Sequence, residues 1–187
     1  MRMVFVGEAM VELAPEGGLY RRGFAGDTFN TAWYLRRCLP RSWQVDYLSA
    51  VGQDALSDRM LGFMATAGVG IGHITRLPQL TVGLYMIALT DGERSFAYWR
   101  SESAARHLAD DLQAVARAVA GADMIVLSGI TLAILPEDRR AALLDAIRNA
   151  RACASVVLPS PLARRSRWPD NPSTHVISDL GHCGLSI

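Results

Sequence analysis

Leu19-Tyr20-Arg21-Arg22-Gly23-Phe24-Ala25-Gly26-Asp27-Thr28-Phe29-Asn30-Thr31-Ala32-Trp33-Tyr34-Leu35-Arg36-Arg37 passes from a short strand pattern into helical spacing, with a glycine, a carboxylate and an amide at the junction. Two readings of the junction stand. Asp27 or Thr28 can serve only as an N-cap, accepting a backbone N–H of the first turn. Asn30 complicates that reading. An Asn in the first turn competes with the backbone for hydrogen bonds and gains little as a helix former, so its amide is expected to point at something else.

Outward from this junction, apolar β-type runs alternate with helical runs, which predicts an α/β architecture. Met3–Val6 reads as a buried first strand, Thr28–Cys38 as a helix, Val45–Ala50 as a strand, and Ala55–Ala67 as a helix stopped by Gly68. The rhythm then changes. Val82–Thr90 and Ser95–Trp99 are two strand-like runs joined by Asp91-Gly92-Glu93-Arg94, and Asp-Gly is a hairpin signal. Asp110–Ala120 reads as a helix, Met124–Leu127 as a buried strand, Glu137–Arg151 as a helix after Pro136, and Val156-Val157-Leu158 as the next parallel strand. The pattern is a doubly wound sheet interrupted by strands with aromatic and polar faces, a second sheet lying over a site.

The chain has 187 residues, half of them hydrophobic, with 19 Lys+Arg against 18 Asp+Glu and a formal net charge of +1. That balance creates no field to steer the chain to a polyanion, so no nucleic-acid partner is expected. Met3-Val4-Phe5-Val6-Gly7 is interrupted too soon by Glu8 to be a signal peptide or a spanning helix, and no membrane partner is expected. Cys38, Cys153 and Cys183 form no CxxC pair, which signals neither a disulfide framework nor zinc and fits a reducing cytoplasm.

Gly92-Glu93-Arg94-Ser95-Phe96-Ala97-Tyr98-Trp99-Arg100 is the second chemical cluster. Strand alternation puts Phe96, Tyr98 and Arg100 on one face and Ser95, Ala97 and Trp99 on the other. A guanidinium beside a phenol suits a carboxylate, since Arg offers two parallel N–H donors and Tyr adds a neutral one. An edge strand with a solvated Arg100 and a packed Tyr98 would carry the same pattern.

The chain resembles 2-keto-3-deoxygluconate kinases of the ribokinase-like (PfkB) carbohydrate kinase family. The resemblance rests on Val6-Gly7-Glu8-Ala9-Met10-Val11-Glu12-Leu13, Arg22 to Thr31, Leu84-Tyr85, Gly92 to Arg100 and Leu127-Ser128-Gly129-Ile130-Thr131-Leu132-Ala133-Ile134-Leu135, and it covers residues 1–157. It implies a ribokinase-like, Rossmann-like doubly wound fold, truncated, with a small β-sheet lid whose strands fall within about 10–25 and 82–100. It further implies that Gly26, Asp27 and Asn30 hold sugar hydroxyls and that Tyr85, Tyr98 and Arg100 face the same substrate, with Arg100 on its carboxylate. The implied reaction is transfer of the ATP γ-phosphoryl group, with Mg2+, to the terminal hydroxyl of the small-molecule sugar acid 2-keto-3-deoxygluconate, giving the 6-phosphate. Lid sheets in this family commonly pack against each other, which implies a homodimer.

The sequence also departs from that family. Its members continue with a half that supplies a Gly-Ala-Gly-Asp motif, the catalytic Asp and the nucleotide pocket, so no catalytic residue is expected in this chain and the nucleotide site is expected to be largely absent. Ala25-Gly26-Asp27-Thr28 imitates the catalytic motif but lies near the N-terminus and runs into Asn30-Thr31, as the sugar-binding motif does. After Val157 the sequence reads Leu158-Pro159-Ser160-Pro161-Leu162-Ala163-Arg164-Arg165-Ser166-Arg167-Trp168-Pro169, and four of the eight prolines fall between 159 and 172. Residues 158–187 are therefore expected to be an atypical, non-native or frame-disrupted tail. The alternative function is an inactive remnant that binds a sugar acid or associates through its lid; a dinucleotide-dependent enzyme comes third.

Other features are set aside. Gly68-Val69-Gly70-Ile71-Gly72 follows a helix, which a dinucleotide fingerprint does not, and is expected to be a loop. His175, Asp179, His182 and Cys183 match no metal-site spacing, so no metal site is expected. His73 and His107 are read as surface or turn residues, and Met60, Met64 and Trp33 as core.

Overall fold

A computed structural model describes residues 1–90, 93–150 and 153–157 of the chain. The Asp91-Gly92 turn, the tail after residue 157, and His175, Asp179, His182 and Cys183 lie outside the described residues.

Alternation of fully buried residues builds the first sheet. In β1 (Arg2–Val6), Met3 and Phe5 point into one apolar cluster and Val4 and Val6 into another, so the strand is covered on both faces. β1 pairs in parallel with β4 (Gln44–Val51) and β8 (Met124–Ser128); β4 pairs with β5 (Gly70–Arg76) and β8 with β9 (Cys153–Val157). The five-stranded order is β5-β4-β1-β8-β9. α1 (Asp27–Cys38) and α2 (Ala55–Thr66) cover one face through Phe29, Ala32, Met60 and Met64. α3 (Leu112–Val119), α4 (Gly129–Ile134) and α5 (Glu137–Asn149) cover the other, with Val115, Leu132, Leu143 and Ile147 in its cluster. Full burial of a side chain such as Phe5 stabilises by about 1.5–3 kcal/mol.

The second sheet is four-stranded and ordered β3-β2-β6-β7, with β2 (Met10–Glu16), β3 (Leu19–Ala25), β6 (Leu84–Thr90) and β7 (Glu93–Trp99). Val11, Phe24 and Leu84 tie it to the cluster beneath α1 and α2, where the Phe24 and Phe63 rings lie 5.6 Å apart. β6 and β7 pair antiparallel with Tyr85 opposite Tyr98 and Ile87 opposite Phe96.

Helix boundaries follow local chemistry. Asp54 accepts from Leu56 and Ser57 N–H to start α2, Asp111 does the same for α3 from Gln113 and Ala114, and Ser128 and Thr131 form a capping box on α4. Gly68, at φ 81°, follows α2 in the left-handed conformation that stops a helix.

Three expectations are corrected. Gly70-Ile71-Gly72 is not loop but the start of β5. A side chain at Gly70 would meet Asp46 Oδ1 at 2.1 Å, so the glycine makes room for a carboxylate on the neighbouring strand. His73 is not a surface or turn residue. It lies half-buried on β5 with its Nε2 2.7 Å from Arg2 Nη2, and burial and the Arg2 guanidinium lower its pKa, so the neutral ring accepts. Neither Asp27 nor Thr28 caps α1. Gly26 holds the cap position, and Asp27, the first helical residue, accepts from Thr28 N–H at 2.7 Å.

Candidate functional site

Among the parallel strands, chain order across the sheet runs outward in both directions from the β1–β8 boundary, the switch point where open α/β sheets open a crevice at their carboxyl ends. A cavity of about 180 Å3 lies there. Glu8 reaches it from just beyond β1, Ile130 from α4 directly after β8, Gly26, Asp27 and Asn30 from the β3–α1 junction, and Tyr85, Phe96, Tyr98 and Arg100 from the second sheet. The six residues singled out in the sequence, Gly26, Asp27, Asn30, Tyr85, Tyr98 and Arg100, thus line one cavity, and Phe96, Tyr98 and Arg100 share it as strand alternation requires.

Close backbone approach explains the glycine. A Cβ on Gly26 would lie 2.2 Å from the Glu8 carbonyl oxygen, so only glycine lets the α1 N-terminus sit against the turn after β1. Beneath it the Thr28 and Tyr47 hydroxyls, both buried, lie 2.9 Å apart and lock α1 to β4. The Asn30 Oδ1 faces Gly26 N–H at 3.4 Å, a long contact that holds the amide over the cavity mouth without saturating it. Asp27 Oδ2 is buried with no hydrogen-bond partner.

Arg100 meets a carboxylate already. Its Nη2 donates to Oε2 of Glu8, whose side chain is nearly fully buried, while Glu8 Oε1 has no partner. Burial pushes the Glu8 carboxyl above its ordinary range, against the pull of Arg100. Tyr85 donates its hydroxyl to Glu12 Oε2, and burial together with that carboxylate raises the phenol. Tyr98 stands 5.9 Å from Tyr85 and 6.2 Å from Phe96, ring centre to ring centre, and its hydroxyl has no partner among the described residues. The result is a small chamber with an aromatic wall, a guanidinium, two carboxylates with spare acceptor oxygens and an amide. That set suits a polyol carrying a carboxylate. Its volume lies below the roughly 300–1,000 Å3 typical of small-molecule pockets, which leaves no room for a nucleotide. Among the described residues, no three His, Cys, Asp or Glu side chains converge to hold a metal ion.

Sequence reasoning missed Glu8, Met10 and Ile130 as cavity residues. Glu8 had a legible signal: an acid two residues past the apolar end of a parallel strand stands where such sheets bind ligands.

Comparison with known proteins gives the family. Residues 3–175 match the pfkB family carbohydrate kinase description. The chain is 38% identical over 187 residues to a 2-dehydro-3-deoxygluconokinase of Dickeya dadantii, covering 97% of this chain and 60% of that protein. It is 35% identical over 180 residues to one of Escherichia coli K12, covering 94% and 58%. A crystal structure of a 2-dehydro-3-deoxygluconokinase from Thermotoga maritima superposes with a TM-score of 0.79 at 20% identity, covering 98% of this chain and 57% of that one. The chain thus spans about 60% of the length of the curated relatives it matches. With its ribokinase-like α/β fold and this match over nearly its whole described length, the chain belongs to the pfkB family of carbohydrate kinases.

Proposed function

We propose that this chain forms the substrate-binding and lid portion of an ATP-dependent sugar-acid kinase, acting on 2-keto-3-deoxygluconate to give its 6-phosphate. The single observation that carries this reading is the convergence of Arg100 and Tyr98 from one sheet with Gly26, Asp27 and Asn30 from a helix start on the other, in one cavity at the sheet's switch point. In this reading Arg100 and Tyr98 hold the carboxylate, Asp27 Oδ2 and Asn30 take sugar hydroxyls, and Tyr85 walls the sugar. Residues 1–157 are read as the N-terminal part of the kinase domain, with the second sheet as its lid and residues 158–187 as an atypical tail.

The reaction draws its phosphoryl group from ATP with Mg2+. This cavity fits neither, since it is too small for a nucleotide and no metal cluster is present among the described residues, so no step is routed through its lining beyond binding and orienting the sugar. The base that activates the terminal hydroxyl is assigned to none of them. No helix among the described residues is long and apolar enough to cross a membrane, and the exposed free thiol of Cys38 suits a cytoplasmic setting. The exposed Trp99, on the lid face away from the cavity, supports pairing with a second copy, which gel filtration tests: a dimer is expected, and a stable monomer counts against it.

The activity is tested by a coupled ATP-consumption assay on this chain with 2-keto-3-deoxygluconate. Turnover abolished by Arg100→Ala supports a kinase, whereas sugar-acid binding without ATP consumption assigns the chain to binding alone.

A further inference from the structure

The cavity holds a buried carboxylate on the same guanidinium that an acid ligand needs. Its charged lining groups are Glu8, Asp27 and Arg100, with Tyr85 and Tyr98 beside them. Arg106 pulls on Glu8 from the 3-10 turn Ala104–His107, and Tyr47 of β4 lies within reach of both Asp27 and Glu8. Glu8 is only 3% exposed, its Oε2 is committed to Arg100, and its Oε1 is buried without a hydrogen-bond partner, with the Ser103 hydroxyl, equally buried and unpaired, as a polar neighbour in reach.

A ligand carboxylate brought to Arg100 becomes the third carboxylate in a cavity of about 180 Å3 that holds one guanidinium, itself already paired with Glu8. Like charges held together in a small, partly buried cavity repel, and Arg106 offsets only part of that. The repulsion is relieved when one protein carboxylate becomes neutral. Of the two protein carboxylates, Glu8 is the more deeply buried and directly abuts Arg100, whereas Asp27 Oδ1 accepts from the Thr28 N–H. A proton on Oε1 also gives that oxygen an O–H to donate, so the orphan atom gains a function.

Resting on the sugar-acid reading of this cavity, we propose that Glu8 is a specificity-determining residue: it holds Arg100 while the site is empty, and a ligand carboxylate takes Arg100 only as Glu8 takes a proton from solvent and turns its O–H toward the ligand. The site then favours ligands that bring a carboxylate, because a neutral sugar leaves the Glu8–Arg100 pair closed. The upward push of burial on Glu8 is in the direction this exchange needs.

Calorimetric titration of the full chain with 2-keto-3-deoxygluconate, near pH 7 in buffers of different ionisation enthalpy, reads the proton directly. On the order of one proton is expected to be taken up per acid bound, and Kd is expected to rise with pH by up to tenfold per unit. In Glu8→Gln both the uptake and the pH slope vanish. The uptake in the unaltered chain needs no variant, so it decides the matter even where Glu8→Gln fails to fold. Binding with no proton uptake, or equal uptake in Glu8→Gln, overturns the proposal alone. No binding at all overturns the sugar-acid reading and this proposal with it.

Discussion

Arg100 donates from Nη2 to Oε2 of Glu8, joining the end of β7 to the turn after β1 and leaving Glu8 Oε1 buried and unpaired. The contact fastens the second sheet to the parallel sheet at the point where a ligand would sit, so one ion pair couples stability to occupancy.

Stability is expected to depend on pH through Glu8. Its folded pKa lies above its ordinary value of 4.5, so the folded chain holds the proton more tightly than the unfolded one. Its contribution is therefore fully present below about 4.5 and declines as pH rises through the folded pKa. Asp54 acts with the opposite sign and at lower pH. Burial opposes the shift, but hydrogen bonds from Ser57 and Thr81 hold Asp54 at about 2, so its stabilisation is lost as pH falls below 3.8. Thermal unfolding should give a Tm that peaks in mild acid and falls as pH rises through the folded pKa of Glu8, with that slope flattened in Glu8→Gln; an unchanged slope would place the dependence elsewhere.

The two tyrosines should separate binding from structure. Tyr98 has no partner for its hydroxyl among the described residues, whereas Tyr85 is committed to Glu12. Tyr98→Phe is expected to weaken 2-keto-3-deoxygluconate binding by about tenfold, the value of one hydrogen bond of ~1.4 kcal/mol, with unchanged Tm. Tyr85→Phe should cost about 1 kcal/mol of stability and less affinity, because it leaves the Glu12 carboxylate without its donor. Titration and denaturant unfolding of both variants distinguish the two roles.

Gly26 and Gly62 should respond oppositely to a methyl group. At Gly26 the added Cβ would stand 2.2 Å from the Glu8 carbonyl oxygen, forcing α1 away from the turn it caps; Gly26→Ala is expected to cost about 1–3 kcal/mol and to lower sugar affinity. Gly62 lies within α2 with nothing within 4 Å of that position, so Gly62→Ala should stabilise by about 0.5–1 kcal/mol through helix propensity alone and leave binding unchanged. Urea unfolding measures both, and a neutral Gly26→Ala would refute the close-approach account.

Local rules made most of this fold legible. Two-faced apolar runs such as Met3–Val6, the stop at Gly68 and the start after Pro136 each depend on a residue and its immediate neighbours. Alternation sufficed to bring Tyr98 and Arg100 together. What stayed hidden depends on long-range contacts. β5 opens with Gly70 and Gly72 and carries His73, a poor strand pattern, yet it is held by β4 with a register shift between Asp46 and Leu48 and by the Arg2–His73 contact. The cap of α1 was misassigned because Gly26 is selected by the Glu8 carbonyl, a partner distant in sequence. The same distance concealed the claim that Glu8 has on Arg100, which strand spacing alone presents as free.

The central claim, that this cavity binds a sugar acid through Arg100, is tested most directly by calorimetric titration of the chain with 2-keto-3-deoxygluconate beside its Arg100→Ala variant, each checked for folding at the same pH. Saturable one-to-one binding, weakened at least ~100-fold by the substitution in line with the loss of a charge-assisted pair of ~3 kcal/mol, is the predicted result. Equal affinity in the two proteins, or no saturable binding to the unaltered chain, would contradict it.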